Sequence, residues 1–275
     1  MSQIALFTQR WRERRETYRP AGEPIDTRKY EVAEIGSDRE PKAFILKHHY
    51  LGSYPSARFR FGLFTGGALV GTAVFSHPCN DRVLTSVFDI PTMEAVELGR
   101  FVLLDEVPAN GESWFLARAL ELLRRNHIMG VVSFSDPIPR SAVDGTVAHI
   151  GHLGTCYQAT SAAFLGRGTA RTLRMLPDGS ILNDRTIQKI RAGERGWQYG
   201  SQILERFGAG PAPAGETDRA EWLTRWTTAL TRPLRHPGNW KYAWGLHRTT
   251  RRMLPESLPY PKHNHAQTTG LNCHT

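Results

Sequence analysis

The sequence predicts a mixed α/β protein, and three observations predict it. In "RFRFGLFTGGALVGTAVFS" two apolar runs flank Thr65-Gly66-Gly67, and a Gly-Gly turn between such runs signals an antiparallel hairpin. In "AVELGRFVLLDEVPANGESWFLARALELLRRNHIMGVVSFSD" the order strand, loop, helix, strand implies a right-handed crossover between parallel neighbours. The second half of that first strand is near-continuously apolar, which marks it as central and covered on both faces.

The elements follow in order. Residues 1–29 read as a basic N-terminal arm, helical to about Arg15 and then broken by the Pro and Gly of "YRPAGEPIDTRKY", with ordered structure starting near Tyr30. The core is expected over 30–177. A helix over 40–52 buries Phe44, Ile45, His48 and Tyr50 and stops at Gly52; the hairpin strands span 58–64 and 68–76, and the central strand 95–107. The crossover helix repeats Phe115, Leu116, Ala119, Leu120 and Leu123 at helical spacing, with Glu112 early and Arg124 and Arg125 late. Those charges complement the helix dipole, and Asn110 or Ser113 can cap its start. The parallel partner strand ends at Asp136-Pro137. "LGTCYQATSAAFLGRG" gives a short helix and a turn at Gly166 to Gly168, and "TARTLRML" a strand. Residues 178–220 read as a helical insertion, two short helices around a Gly-rich turn, and a Pro/Gly/Ala linker. Residues 221–255 form a basic aromatic segment that returns a strand, Lys241 to Leu246, to the sheet, and 256–275 a flexible tail.

The chain carries 35 Lys and Arg against 26 Asp and Glu, a net charge of +9. Arg225, Arg232, Arg235, Lys241, Arg248 and Arg251 fall in a stretch without Asp or Glu that also holds Trp226, Trp240, Tyr242 and Trp244; Arg10, Arg12, Arg14 and Arg15 cluster beside Trp11. Basic groups neutralise phosphates and indoles stack on bases, so these residues are candidate DNA contacts; a solvated basic surface over core tryptophans is the bland alternative. No apolar run is long enough to span a bilayer, and no signal peptide is evident. Three scattered cysteines, Cys79, Cys156 and Cys273, suit a reduced cytoplasmic chain better than a disulfide framework.

Chemistry concentrates in "VVSFSDPIPRSAVDGTVAHIGHLGTCYQA". It begins as a sheet strand, so Ser135, Asp136, His152 and Tyr157 lie near a carboxyl edge, where open α/β sheets place ligands. Asp136 is a candidate general base, or an ordinary Asp-Pro turn; Tyr157 can donate a proton, or be a core phenol with a bonded tip. His48, His49, Asp136 and His152 form a mixed nitrogen and oxygen set compatible with iron, at a spacing that is no recognised metal motif.

The helix, Gly-turned hairpin, long central strand feeding loop and helix, then strand and helix follow the order of the Gcn5-related N-acetyltransferase fold. The segments "HHYLGSYP", "FRFGLFTGGALVGTAVFSHP", "VELGRFVLLDEVPANGESWFLARAL", "VVSFSDP", "GHLGTCYQATSAAFLG" and "HPGNWKYAW" resemble the Mom family of phage DNA-modification proteins. The resemblance implies a cytoplasmic enzyme that converts adenine in double-stranded DNA to N6-carbamoylmethyladenine and shields phage DNA from restriction, in an iron-containing family. It also implies that Glu97 and Arg100 meet substrate and donor where the central strand splays from its parallel neighbour, beside Tyr50 and Ser135. Asn110, Gly111 and Ser113 stand where that fold holds the pyrophosphate of coenzyme A, but "VPANGESW" has one glycine where the fold usually carries a Gln/Arg-x-x-Gly-x-Gly/Ala loop. The donor is therefore left as acetyl-coenzyme A or glycyl-tRNA, with duplex DNA and tRNA as partners. An acetyltransferase of the same fold acting on a protein or small-molecule amine, and a non-catalytic DNA-binding protein, are the rivals.

Overall fold

The computed structural model describes residues 7–262; His263, His265, Cys273 and His274 in the expected tail lie outside them. The chain divides into two compact units, one of residues 1–137, 152–167 and 239–275 and the other of 138–151 and 168–238.

The first unit is built on a seven-stranded mixed sheet. Its strands are β3 (Glu31–Glu34), β4 (Ala57–Thr65), β5 (Ala68–Ser76), β6 (Ala95–Leu103), β7 (Gly130–Ser135), β10 (Ala163–Arg167) and β14 (Trp240–Gly245), in the order β10-β14-β7-β6-β5-β4-β3. Only the β6–β7 pair is parallel, as the crossover through α3 (Gly111–Arg125) demands. The mixed α/β class, the β4–β5 hairpin, the central β6 and the returning β14 are as expected. β10 is not: the segment around Gly166 pairs with β14 as an edge strand, with an irregularity between Phe164 and Arg167 that absorbs the glycine's positive φ.

One sheet face is covered by α3 and α4 (Thr155–Ala159), where Phe115, Leu116, Ala119, Leu123 and Tyr157 pack on Phe61, Phe75, Val96, Leu98 and Tyr242. The other is covered by α1 (Arg39–His48) and α2 (Arg82–Thr85), with Ile45 on Val74 and Val102, and Leu84 on Ala95, Val132 and Ala243. α1 stops at His48, four residues before Gly52, because the His49 backbone turns extended (ψ 136°). α8 (Arg248–Met253) closes the unit.

The N-terminal arm is a correction. It is neither helical nor free: β1 (Phe7–Arg12) and β2 (Arg15–Pro20) form an antiparallel hairpin. Its two-residue turn puts Glu13 and Arg14 at φ 50° and 64°, the left-handed region that side chains other than Gly and Asn resist. Two bonds hold it there: the Glu13 N–H donates to His48 Nδ1 (3.2 Å) and the Arg14 N–H to the His48 carbonyl (3.1 Å). Trp11, expected beside nucleic acid, packs instead with Ile45, Val74 and Val102.

The second unit holds two small sheets and three helices. β8 (Arg140–Ser141) pairs with β9 (Val147–His149), and β11 (Arg171–Met175) lies between β12 (Ile181–Leu182) and β13 (Arg232–His236). The helices α5 (Asp184–Ala192), α6 (Trp197–Glu205) and α7 (Glu216–Leu230) share a core of Ile190, Leu204, Trp222 and Leu223. Asn183 caps α5 by accepting the Thr186 N–H (2.8 Å), and Gly193 ends it at φ 64°. The basic aromatic segment is thus divided: Arg225, Arg232 and Arg235 belong to this unit, and Lys241, Arg248 and Arg251 to the first. Its aromatics are core residues, since Tyr242 and Trp244 are buried and Trp226 packs on the α5–α7 core.

Candidate active site

The site begins with a mismatch of strand lengths. β6 and β7 pair only from Ala95 with Gly130 to Leu98 with Ser133; beyond that β6 runs on to Leu103 and β7 to Ser135 without pairing to each other. The strands open at the carboxyl end of β7, where the ligand edge was expected. Ser133 spans the last paired rung by donating to the Leu98 carbonyl (3.1 Å).

A bulge in β6 decides which side chains enter this opening. Opposite β5, Leu98 pairs with Phe75 and Arg100 with Val74, so Gly99 is the extra residue. In a regular strand Glu97 and Arg100, three apart, would face opposite ways. The extra residue restores the phase and puts both on the face that also carries Ala95 and Val102. Gly99 is required for space as well, since a Cβ there would lie 2.8 Å from Ser76 Oγ.

Glu97 and Arg100 are half-buried. Burial raises the Glu97 carboxyl above its ordinary value, opposed by the Arg100 charge; burial likewise lowers Arg100, opposed by Tyr50, Glu97 and Tyr157. Arg100 is oriented by donating to the Ser53 carbonyl and hydroxyl, each at 2.8 Å. Tyr157, the buried residue of α4 with its ring edge-on to Tyr242 and Trp244, has its phenol pushed far up by burial, so it is neutral and able to donate. Tyr50 stacks on His49 (4.5 Å between centroids) and tilts on Trp11 (4.8 Å), with His152 at its edge (6.1 Å). The His152 N–H donates to the Asp136 carbonyl (2.8 Å), so these two residues meet at the end of β7 although the chain between them belongs to the other unit. Ser135 is buried, and its hydroxyl has no hydrogen-bond partner among the described residues.

The expected donor loop is filled by the protein itself. The Asn110 N–H donates to the Glu23 carbonyl (3.1 Å) and the Gly111 N–H to Pro108 (2.8 Å). Asn110 stands at the cap position of α3 without a capping side-chain bond, and Ser113 Oγ turns back to the Asn110 carbonyl (3.2 Å). Arg10, its side chain fully buried, pairs with Glu112 (2.7 Å) and donates to the Pro108 and Ala109 carbonyls (3.1 Å each). Arg12 adds ion pairs to Asp105 (3.0 Å) and Glu106 (2.5 Å).

The iron set does not assemble. Among the described residues no three His, Cys, Asp or Glu side chains converge where they could hold a metal ion. His48 is buried on α1, its Nδ1 taken by the Glu13 N–H and its imidazole shifted toward the neutral form by burial. His48, Asp136 and His152 are not the ligand triad expected, and no step below passes through iron. Among the candidate DNA contacts, Lys241 donates to Ser86 Oγ (2.9 Å) and Arg251 to the Gly245 carbonyl (3.0 Å), whereas Arg225 lies over Trp226 and Arg248 is exposed. The sequence reading did not single out Ser53 or the Gly99 bulge, and it offered Arg10 as a DNA contact rather than as the buried partner of Glu112; the glycine left a signal, as an isolated Gly inside a strand pattern.

Comparison with known proteins places the chain. Solved structures that it resembles include an IAA acetyltransferase from Bacillus cereus ATCC 14579 (12% identity, 55% of this chain and 92% of that one, TM-score 0.35). Another is a tandem GNAT protein from the clavulanic acid biosynthesis pathway (10% identity, 79% of this chain and 99% of that one, TM-score 0.40). No curated protein matches. No helix among the described residues is long and apolar enough to cross a membrane. A family model described as the Mom protein family matches residues 29–210, more than half the sequence, and the chain belongs to that family.

Proposed function

We propose that this protein converts adenine in double-stranded DNA to N6-carbamoylmethyladenine by aminoacyl transfer to N6, protecting phage DNA from restriction. Membership of the Mom family supports a role in acyl transfer and DNA modification. The observation that carries the reading is the β6–β7 opening, with Glu97 and Arg100 on one face of β6 and with Tyr50 and Tyr157 close enough to act on the Arg100 charge. The exocyclic N6 is a weak nucleophile stacked inside a duplex, so the base must be flipped, held and deprotonated. Tyr50 and its aromatic neighbours offer a stacking surface. Glu97, or Asp136 at the end of β7, takes the N6 proton as the acyl carbon is attacked. Arg100 stabilises the developing oxyanion, and the neutral Tyr157 phenol protonates the leaving oxygen.

The product's atoms choose between the donors. A carbamoylmethyl group brings two carbons and one nitrogen; an acetyl group lacks the nitrogen, and a glycyl group has it. Attack of N6 on the glycyl ester of tRNA forms the N6–CO bond, breaks the ester and leaves N6–CO–CH2–NH2. The free amine then attacks ring carbon 6 through a five-membered spiro ring. The original nitrogen departs from carbon 6 as the amide and takes up a proton, which gives C6–NH–CH2–CO–NH2. Occupation of the Asn110 and Gly111 amides by the chain's own carbonyls also favours a donor that does not rely on them.

Mass analysis of nucleosides from cells expressing the protein tests the reading, and unmodified adenine overturns it. Labelled glycyl-tRNA or labelled acetyl-coenzyme A, supplied to the pure protein with duplex DNA, separates the donors. Label entering DNA from the acetyl donor alone rejects glycyl transfer.

A further inference from the structure

We infer that the open face of the β11–β13 ladder is a docking surface for the phosphate backbone of duplex DNA. The inference rests on the DNA-modifying role proposed above and adds a binding surface to it.

The two strands come from segments far apart in sequence, 145–177 and 222–255, and neither segment contains an Asp or Glu. The fold pairs them antiparallel, with Thr172 opposite Arg235 and Arg174 opposite Pro233. Side chains alternate across a strand, so Thr172, Arg174, Pro233 and Arg235 share one face. All four are exposed, whereas Leu173, Met175, Leu234 and His236 on the other face are half-buried or buried. Arg174 and Arg235 are diagonal neighbours, about 7–8 Å apart in such a ladder. Among the described residues neither forms an ion pair or side-chain hydrogen bond, and the same is true of Arg171 at the end of β11. Like charges held side by side without a counter-ion oppose folding. A surface that keeps them is satisfied by an external polyanion.

The β11–β13 ribbon is flanked by β12 on the other edge of β11, so its exposed arginines suit contacts to duplex phosphates across the sheet face rather than entry into a groove. Duplex DNA, rather than RNA, follows from the DNA-modifying role proposed above. Arg171 and Arg174 enter this set only through the fold, since no local charge run marks them in the sequence.

The test uses the full chain and a fluorescent duplex in anisotropy titrations over a salt series. Arg174→Gln with Arg235→Gln is expected to weaken duplex binding at least about tenfold and to flatten the slope of log K against log salt by about 2. Arg124→Gln with Arg125→Gln removes the same net charge from the C-terminal end of α3, in the other unit, and is expected to change the slope by less than half as much. Arg174→Lys with Arg235→Lys keeps the charges and is expected to keep the slope, which guards against a merely unfolded double variant. Equal effects of the two glutamine pairs, or an unchanged slope in the ribbon pair, overturn the proposal. So does loss of binding to a tRNA probe with duplex binding intact. Nucleoside analysis stands apart: modified adenine with an unaltered ribbon-variant slope rejects the docking surface and keeps the enzyme. Unmodified adenine rejects the enzyme whatever the slope.

Discussion

The N-terminal hairpin and the β11–β13 ladder are both antiparallel and arginine-rich, yet their arginines are used in opposite ways. On the hairpin, Arg10 and Arg12 turn to carboxylates and carbonyls of the β6–α3 loop, and Arg19 to Glu23 and the Asp105 carbonyl. On the ladder, Arg174 and Arg235 face solvent with no carboxylate on either strand. Charge counted along a sequence cannot tell these apart. What separates them is whether the fold supplies the counter-charge, and at the hairpin Asp105, Glu106 and Glu112 supply it.

Stability measurements sharpen this contrast most strongly at Arg10. Arg10→Ala leaves the Glu112 carboxylate without its partner in a site whose burial already raises its pKa, and breaking such a pair costs about 3–5 kcal/mol. Chemical denaturation should register that loss, and a cost under about 1 kcal/mol would break the comparison at its buried end.

Arg100 stands between the two extremes, half-buried and tied to Ser53, and its test is a pH profile. Burial raises the Glu97 carboxyl and Arg100 opposes the rise. A base with a raised pKa is lost as pH falls through that higher value, so the acid limb of kcat/KM lies above that of an ordinary carboxylate. Arg100→Gln removes the opposing charge and should move the limb to higher pH; a limb that stays or moves down removes Glu97 as the base. Glu97→Gln should abolish the limb and reduce turnover by about 10²–10⁴-fold.

At the open end, Arg174→Ala should change unfolding free energy by no more than about 0.5 kcal/mol, as for surface positions without a partner. A gain rather than a loss is expected at the hairpin turn. Glu13→Asn with Arg14→Gly places residues suited to positive φ at both turn positions and should stabilise by about 0.5–1 kcal/mol, read as a rise in melting temperature.

The same contrast governs what the sequence disclosed. The β4–β5 hairpin was legible because Gly66-Gly67 states its own turn, and the β6–α3–β7 crossover because its apolar periods change from strand to helix and back. The N-terminal hairpin was not, since Glu13-Arg14 is no turn sequence and its bend is held by His48, 34 or more residues away. That contact also removed His48 from the metal set. The pairing of β11 with β13 joins residues about 60 positions apart, and no local pattern encodes it. At the site, Tyr50, Glu97 and Arg100 come from the family resemblance, and Tyr157 from its place near the carboxyl edge of a sheet strand. What set Glu97 and Arg100 on one face was the Gly99 bulge, a one-residue phase change that a hydrophobicity pattern shows only as a gap.

The place of β14 also sets a timetable. Among the described residues β10 has β14 as its only sheet neighbour, and the chain between them, 168–239, holds most of the second unit. At a synthesis rate of roughly 5–20 residues per second, β10 waits on the order of 4–15 s on the ribosome before its partner strand is made. Through that interval β7 and β10 both expose unpaired backbone, so a nascent chain is most open to aggregation or chaperone capture after residue 167 and before residue 245.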